Sequence, residues 1–145
     1  MKAIIQRVSG ASVIIDNQLY SSINSGLCIF LGVHYNDKKI NVEKLVNKIV
    51  NLRIFSDRNN KMNKSILDIQ GQILVVSQFT LYADCSKGNR PSFKNTANKL
   101  IATPLYELFI NLLKEKNLYV QFGKFGANMN IKLNNQGPVT LIVEQ

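Results

Sequence analysis

The sequence changes from apolar to polar within one stretch, Val75-Val76-Ser77-Gln78-Phe79-Thr80-Leu81-Tyr82-Ala83-Asp84. Its valines continue an apolar run that is typical of a strand inside a sheet, and Ser77, Gln78 and Thr80 then place two hydroxyls and an amide at the strand end. A strand end suits a functional site because rigid backbone fixes the polar atoms while the adjoining loop leaves room for a ligand. Hydroxyls at such a position can also serve only local backbone groups. The stretch therefore predicts a buried strand and leaves the presence of a site open.

Upstream of this stretch the pattern predicts four strands followed by a helix. Three segments alternate in strand fashion, with a turn at Asp16-Asn17, and they read as a meander. A fourth segment is almost continuously apolar, which predicts a central strand buried on both faces. An amphipathic helix is then expected to begin between Asp37 and Asn41. The predicted strands are residues 2–8, 11–15, 18–23 and 26–33, and the apolar helix positions are Val42, Leu45, Val46, Ile49 and Val50.

Downstream, the pattern predicts a hairpin, a second helix and a return to strands. Residues 65–69 and 72–78 form the expected hairpin around Gln70-Gly71. The second helix is predicted with Thr103 as N-cap and Pro104 at the first helical position, ending near Asn117. The strands of the tail are residues 118–122, 128–133 and 139–143, with residues 134–138 as a turn. Together these elements predict one α+β domain over residues 1–145, with two helices packed on largely antiparallel, barrel-like sheets.

The composition is that of one globular domain. The chain has 145 residues, of which 46% are hydrophobic and 19% charged, a length that can bury a core without disulfides or metals. No apolar run approaches the roughly 20 residues that cross a bilayer, and Gln6 and Arg7 interrupt any secretory signal. Cys28 and Cys85, the only cysteines, do not suggest a disulfide framework. We therefore expect a soluble protein of the reducing cytoplasm with no membrane partner.

Charge and motifs narrow the classes of function. A formal net charge of +9 would attract polyanions such as nucleic acid, although an Asn-, Ile- and Lys-rich composition can also reflect genome bias. The single histidine, His34, excludes a multi-histidine zinc site, and its polar neighbours favour a loop imidazole without a chemical role. Neither a dinucleotide-binding glycine motif nor a Walker lysine pattern occurs, which argues against nucleoside-triphosphate chemistry.

Three segments, taken together, resemble one known family. They are Ser77-Gln78-Phe79-Thr80-Leu81, Gly88-Asn89-Arg90-Pro91-Ser92-Phe93 and Asn135-Gln136-Gly137-Pro138-Val139-Thr140. In this order and spacing they resemble the D-aminoacyl-tRNA deacylases of the D-tyrosyl-tRNA deacylase type. The resemblance extends to Gln6-Arg7-Val8, Leu52-Arg53-Ile54-Phe55-Ser56-Asp57, Lys61-Met62-Asn63 and Phe125-Gly126-Ala127-Asn128-Met129. The chain departs from the family pattern at Gln136 and Asn128, where aspartates are usual.

The resemblance implies an activity and its partners. Members of the family are homodimeric hydrolases that cleave the ester between a D-amino acid and the terminal adenosine of tRNA, and they also remove misattached glycine. This implies chiral proofreading in translation quality control, an aminoacylated tRNA 3′ end as substrate, and an active site at the subunit interface. It also implies catalysis without a metal or organic cofactor.

The catalytic residues implied by the resemblance are Ser77, Gln78, Phe79 and Thr80. An activated ester mainly needs positioning, an attacking oxygen and stabilisation of the oxyanion. We expect the N–H groups of Phe79 and Thr80, helped by the Gln78 amide, to form the oxyanion hole. Thr80 is either a nucleophile, which would need a base that no neighbour in sequence supplies, or a positioning residue beside water activated by the ribose 2′-hydroxyl. The missing base favours the second role.

The remaining implied residues concern recognition. A cis Gly137-Pro138 bond would aim backbone carbonyls at the substrate ammonium of the partner subunit and occupy the space of an L side chain. Arg7 would hold that turn through carbonyl hydrogen bonds, or would be only a solvated charge. The residues expected at the adenosine are Ala127 and Met129, with Phe79 as a stacking surface, while core packing is the alternative for Met129 and Phe79. The residues expected at tRNA phosphates are Lys87, Arg90 and Lys94.

Two other classes of function remain open from the sequence. A non-catalytic tRNA-binding module would share the basic charge and the lack of a side-chain base. A small-molecule amidase or esterase would use Thr80 and have an incidental basic surface.

Overall fold

A computed structural model describes residues 1–145 and places two helices against one curved sheet. A short 3-10 helix, Phe79–Tyr82, follows the strand that opened the sequence analysis. The helices are α1 (Lys39–Val50) and α2 (Lys99–Lys114). The strands are β1 (Lys2–Ile15), β2 (Gln18–Ile23), β3 (Gly26–Gly32), β4 (Phe55–Ser56), β5 (Met62–Lys64), β6 (Gln72–Ser77), β7 (Tyr119–Phe122) and β8 (Asn130–Glu144).

Strand β1 organises the sheet because both of its edges are occupied. One edge pairs with β8 along almost its whole length, and the other is shared by β3 near its start and β2 near its end. Asp16 and Asn17 connect β1 to β2 with φ of 50° and 62°, a conformation that Asp and Asn tolerate and that two-residue hairpins require. The two predicted strands of residues 2–8 and 11–15 are thus one strand. The predicted meander of three strands is therefore wrong, since its segments form only the two-stranded hairpin of β1 and β2.

The sheet is mixed and almost closes on itself. Its strand order is β2-β1-β3-β6-β7, and β8 pairs with the remaining edge of β1. The pairs β3–β6 and β6–β7 are parallel, and the other pairs are antiparallel. The Ser21 hydroxyl donates to the Phe122 carbonyl at 3.1 Å, which joins β2 to β7 at the two ends of this order. The predicted α+β class, with two helices on a largely antiparallel, barrel-like sheet, is confirmed.

The hydrophobic core lies between the two helices and the inner face of the sheet. All five apolar positions predicted for α1 are buried, and β3 is buried on both faces as its sequence predicts. Neither helix is long and apolar enough to cross a membrane. The largest fully buried side chains include Phe109 and Leu113 of α2, Leu45 and Ile49 of α1, and Leu27, Ile29 and Leu31 of β3.

Helix α2 begins earlier than the sequence pattern predicted. Its N-cap is Asn98, whose side chain accepts from the Ile101 N–H at 3.1 Å, so the prediction of Thr103 as N-cap is wrong. Asn is as good an N-cap as Thr, so the helix gains its first turn ahead of Thr103. Pro104 therefore lies inside the helix, where it has no N–H to donate to the Leu100 carbonyl.

The predicted hairpin of residues 65–69 with 72–78 is also wrong. Residues 65–71 form turns, because the N–H and hydroxyl of Ser65 both donate to the Asp68 carboxylate at 2.8 Å. A side chain that bonds to nearby backbone in this way competes with strand pairing. Strand β6 instead pairs in parallel with β3 and β7.

The last two predicted strands are a single strand, β8. Its register against β1 passes from Val8↔Asn135 to Gln6↔Thr140, so residues 136–139 bulge out of the ladder opposite Arg7. The turn predicted over residues 134–138 is therefore a bulge within a continuous strand.

We expect Gly26→Ala to separate β3 from β6. A Cβ at Gly26 would overlap the backbone carbonyl of Gln72, which no side-chain rotation relieves. The free energy of unfolding should fall by about 3 kcal/mol, measured by urea denaturation. Gly10→Ala is the matched control in β1, since its nearest atom would be the Ile23 carbonyl oxygen at 3.7 Å. Equal losses in the two variants would contradict the tight β3–β6 approach.

Candidate active site

A cavity of about 520 Å³ opens where the parallel strands β3 and β6 end. Most of its lining is apolar. Its polar end, at the end of β6, carries Ser77 and Gln78, and other segments contribute Thr96, Lys99 and Asn128. The lining residues come from the ends of β3 and β6, from the start of α2, and from the segment before β8. They are Leu31, Val33, Val76, Ser77, Gln78, Phe79, Thr96, Ala97, Lys99, Ala102, Phe125, Gly126, Ala127, Asn128, Met129 and Ile131.

The end of β6 presents backbone donors beside this cavity. The Gln78 N–H extends the parallel ladder by donating to the Leu31 carbonyl at 2.8 Å, and the chain then turns into the 3-10 helix. The first N–H to find an acceptor within that helix belongs to Leu81, which donates to the Gln78 carbonyl at 3.3 Å. The N–H groups of Phe79 and Thr80 precede it and have no intrahelical acceptor.

The side chains of this turn are arranged around Thr80. The Gln78 amide nitrogen donates to the Thr80 hydroxyl oxygen at 2.5 Å, which leaves the hydroxyl hydrogen of Thr80 able to donate elsewhere. Ser77, Gln78 and Phe79 line the cavity, whereas Thr80, the next residue, is not part of its lining. No histidine or carboxylate lines the cavity. His34 lies outside it, in the loop after β3, where its Nδ1 accepts from the Asn36 N–H at 3.1 Å.

The opposite wall carries Ala127 and Met129, the residues predicted at the adenosine. The buried Tyr106 hydroxyl supports this wall by donating to the Val75 carbonyl at 2.9 Å, and it lies 3.3 Å from the Gly123 carbonyl. Burial, and after it the neighbouring Tyr20, raises the pKa of the Tyr106 phenol above its ordinary value, so it remains a neutral donor. This buried bond connects β6 to the segment that supplies the wall.

Thr96, Lys99 and Phe125 are among the lining residues for which the sequence predicted no role in the site. The Thr96 hydroxyl donates to the Phe79 carbonyl at 3.2 Å and so ties the segment before α2 to the 3-10 helix. Lys99 is the first residue of α2. The sequence signal for its position is Asn98, since Asn is a favoured N-cap residue.

Gly137 and Pro138 lie in the exposed bulge of β8 and do not line the cavity of their own chain. Their peptide bond is cis, as the resemblance implies, and Gly137 has φ of 119°, where an L side chain is strained. Arg7 lies against this bulge: its Nε donates to the Gln136 carbonyl at 3.2 Å and its Nη1 to the Ile54 carbonyl. A Cβ on Gly137 would be 2.6 Å from Arg7 Nη2.

Lys87, Arg90 and Lys94 are exposed and lie together in the loop between the 3-10 helix and α2. Asp84 and Ser92 close this loop by exchanging backbone hydrogen bonds of 2.7 and 2.9 Å. The three cations lie outside the cavity, on the part of the chain that leads from Thr80 to Thr96.

A sequence model of the family described as D-Tyr-tRNA(Tyr) deacylase matches residues 4–144. The chain belongs to this family. A D-aminoacyl-tRNA deacylase of Clostridioides difficile is 49% identical over 144 residues, covering 99% of this chain and 97% of that protein. One of Aquifex aeolicus is 51% identical with the same coverage. The predicted resemblance is thus confirmed, and with it the prediction that the protein is an enzyme of this hydrolase family.

Two solved structures share the fold. A structure titled c-Myc DNA Unwinding Element Binding Protein has a TM-score of 0.94 and 40% identity, covering 100% of this chain and 99% of the other. A probable eukaryotic D-amino acid tRNA deacylase has a TM-score of 0.88 and covers 99% of this chain and 98% of its own. At 16% identity, the second shows likeness of fold alone.

Proposed function

We propose that this protein hydrolyses the ester of D-aminoacyl-tRNA, releasing free D-amino acid and tRNA, that it accepts glycyl-tRNA, and that it rejects L-aminoacyl groups. The observation that carries the proposal is the turn after β6, where the N–H groups of Phe79 and Thr80 have no intrahelical acceptor and Phe79 lines a cavity without an acid or a histidine. Family membership supplies the substrate class. Two free cysteines, one buried and one exposed, suit the reducing cytoplasm where such a substrate is made.

Hydrolysis needs little from side chains because an aminoacyl ester is already activated. Water adds to the carbonyl carbon, the carbonyl oxygen becomes an oxyanion, and the ribose oxygen leaves with a proton. The N–H groups of Phe79 and Thr80 are the proposed donors to the oxyanion, a device that is typically worth about 10²–10³ in rate for each donor. Ser77 and the Gln78 amide complete the polar end of the cavity.

Thr80 is proposed as a positioning residue. Its hydroxyl oxygen already accepts a hydrogen bond from Gln78. The hydroxyl forms no hydrogen bond with a lysine, histidine or carboxylate that could take its proton. A hydroxyl in this state can donate to the substrate or to water but is poorly prepared to attack. The ribose 2′-hydroxyl of the substrate is the proposed partner that orients or activates the water.

Chiral selection is assigned to Gly137 and Pro138 of a partner subunit. Both residues are exposed in the bulge of β8, and β8 pairs with β1 on either side of that bulge. Neither residue lines the cavity of its own subunit. We propose that a homodimer presents this bulge to the partner's cavity, where backbone carbonyls accept from the substrate ammonium and fill the space of an L side chain. Glycine has no side chain to reject and is therefore admitted. Arg7, bonded to the Gln136 carbonyl, would hold the bulge in place.

The tRNA is proposed to bind in two parts. Ala127 and Met129 contact the terminal adenosine, with the Phe79 ring, 56% exposed at the cavity, as a stacking surface. Lys87, Arg90 and Lys94 contact phosphates from the exposed loop, so that binding weakens as salt concentration rises.

The proposal predicts hydrolysis of D-Tyr-tRNA and glycyl-tRNA but not of L-Tyr-tRNA. The measurement is release of labelled amino acid from matched charged tRNAs, with D- and L-tyrosyl-adenosine as controls without the tRNA body. Equal hydrolysis of both enantiomers would contradict the assignment. Binding of tRNA without release of amino acid would indicate a non-catalytic module. Hydrolysis of both adenosine esters together with an unrelated small ester would indicate a small-molecule esterase.

Replacement of Thr80 by alanine should lower kcat by about 10- to 100-fold, the effect expected when a hydrogen bond to a charged intermediate is lost. A substrate ending in 2′-deoxyadenosine should lose nearly all activity even with the unaltered enzyme. Thr103→Val is the matched control, because the Thr103 hydroxyl is buried, has no hydrogen-bond partner and lies outside the cavity. An acyl-threonine trapped on the unaltered enzyme, with complete loss in the alanine variant, would make Thr80 a nucleophile.

Removal of the Arg7 side chain should weaken chiral discrimination. Arg7→Ala loses the bond to the Gln136 carbonyl and the packing against Gly137, so we expect hydrolysis of L-Tyr-tRNA to rise about tenfold or more relative to D-Tyr-tRNA. Arg53→Ala is the control, since Arg53 clamps the backbone of Asn63 in a similar way but away from the bulge. If a folded Arg7→Ala variant still discriminates between D-Tyr-tRNA and L-Tyr-tRNA as the unaltered enzyme does, Arg7 has no role in chiral selection.

A further inference from the structure

Lys99 is the only charged residue that lines the cavity. Its ammonium forms no salt bridge, and the first turn of α2 contains no acidic residue to pair with it. The start of a helix is also where a cation is least favoured, because the unpaired N–H groups there carry partial positive charge. Lys99 is exposed and no acidic partner neutralises its ammonium, so the charge is available to a ligand in the cavity.

The chemistry of the proposed substrate limits what that ligand group can be. The amino acid end of an aminoacyl-tRNA carries an ammonium, which Lys99 would repel, and the ribose and adenine of the terminal nucleotide are neutral. The nearest anion is the phosphodiester on the 5′ side of the terminal adenosine. An ammonium on a flexible stem is suited to such a phosphate as a point charge.

We propose that Lys99 binds the phosphodiester that joins the terminal adenosine to the rest of the tRNA. This inference rests on the proposed function and adds a phosphate subsite to it. The subsite differs from the loop of Lys87, Arg90 and Lys94 because Lys99, although also exposed, is the only one of these cations that lines the cavity. The Thr96 hydroxyl, bonded to the Phe79 carbonyl, connects this wall to the turn that receives the ester.

The arrangement also orients the substrate. The ester lies at the end of β6, beside Ser77 and Gln78, and the phosphate lies toward the start of α2. In the reverse orientation the substrate ammonium would face Lys99 and the phosphate would face the polar end, which contains no cation. Like-charge repulsion and the missing counter-charge both act against that orientation.

A binding experiment tests the subsite without any catalysis. The unaltered protein should bind adenosine 5′-monophosphate about fivefold more tightly than adenosine in calorimetry, since a partly exposed ion pair contributes up to about 1 kcal/mol. Lys99→Gln should abolish this preference and Lys99→Arg should keep most of it. Equal affinity of the unaltered protein for the two ligands, or a preference that persists in Lys99→Gln, would overturn the proposal.

A kinetic experiment tests it in the reaction. Lys99→Gln should raise the KM for D-Tyr-tRNA about fivefold with little change in kcat, and should leave D-tyrosyl-adenosine unaffected because that ester has no phosphate. The slope of log affinity for tRNA against log salt should become shallower by about 0.7, the value for one phosphate of a single strand. An equal loss on the phosphate-free ester would overturn the proposal.

Lys116→Gln is the matched control. It removes the same charge from the exposed residue beyond the other end of α2, roughly 25 Å away along the helix. If it raises the KM as much as Lys99→Gln, the effect belongs to the general field of the protein and the proposal fails. If the unaltered protein hydrolyses neither D-Tyr-tRNA nor D-tyrosyl-adenosine, the proposed function fails, and the nucleotide-binding experiment still decides whether Lys99 binds phosphate.

Discussion

The parallel ladder between β3 and β6 is the contact on which the rest of the structure depends. It runs from Gly26 opposite Gln72 to Leu31 opposite Ser77, and the Gln78 N–H adds one more bond to the Leu31 carbonyl. At its first pair the strands approach so closely that only glycine fits, and at its last pair the chain must leave the sheet. The turn that presents the N–H groups of Phe79 and Thr80 is therefore placed by the register of two buried strands. A cavity at the carboxyl ends of parallel strands is also where α/β sheets commonly bind ligands.

A second ladder, between β1 and β8, carries the other part of the proposed site. The bulge at residues 136–139 opposite Arg7 removes Gly137 and Pro138 from the sheet plane and exposes them. Arg7 connects this bulge to the Ile54 carbonyl, so that one guanidinium spans two distant segments of the chain. The proposed places of reaction and of chiral selection thus lie on separate ladders, which are connected because β1 also pairs with β3. A homodimer would bring them together at each of two equivalent sites.

The electrostatics of the molecule are divided between surface and cavity. A net charge of +9 provides a general attraction for polyanions, while the cavity contains one cation and no acid. The other polar groups of the cavity are backbone N–H groups, amides and hydroxyls. Such groups can position an activated ester and stabilise its oxyanion without acting as a base. Such groups keep the same protonation state across the physiological range of pH. The site consequently depends on position, held by buried bonds such as that from Tyr106 to Val75, more than on a tuned pKa.

The local pattern of the sequence was sufficient to predict the α+β class, helix α1 with its five buried positions, and the central strand β3. It was also sufficient to identify the motifs around Ser77 to Thr80 and Gly137-Pro138, because these depend on residue type over a few neighbours. It could not predict that residues 65–71 turn instead of pairing, or that residues 130–144 form one strand. Strand pairing is decided by which edges meet, and no local period records that. Only the tertiary structure shows that Lys99 lines the cavity. Asn98 starts α2 early, and the Thr96 hydroxyl bonds to the Phe79 carbonyl, 17 positions away in the sequence.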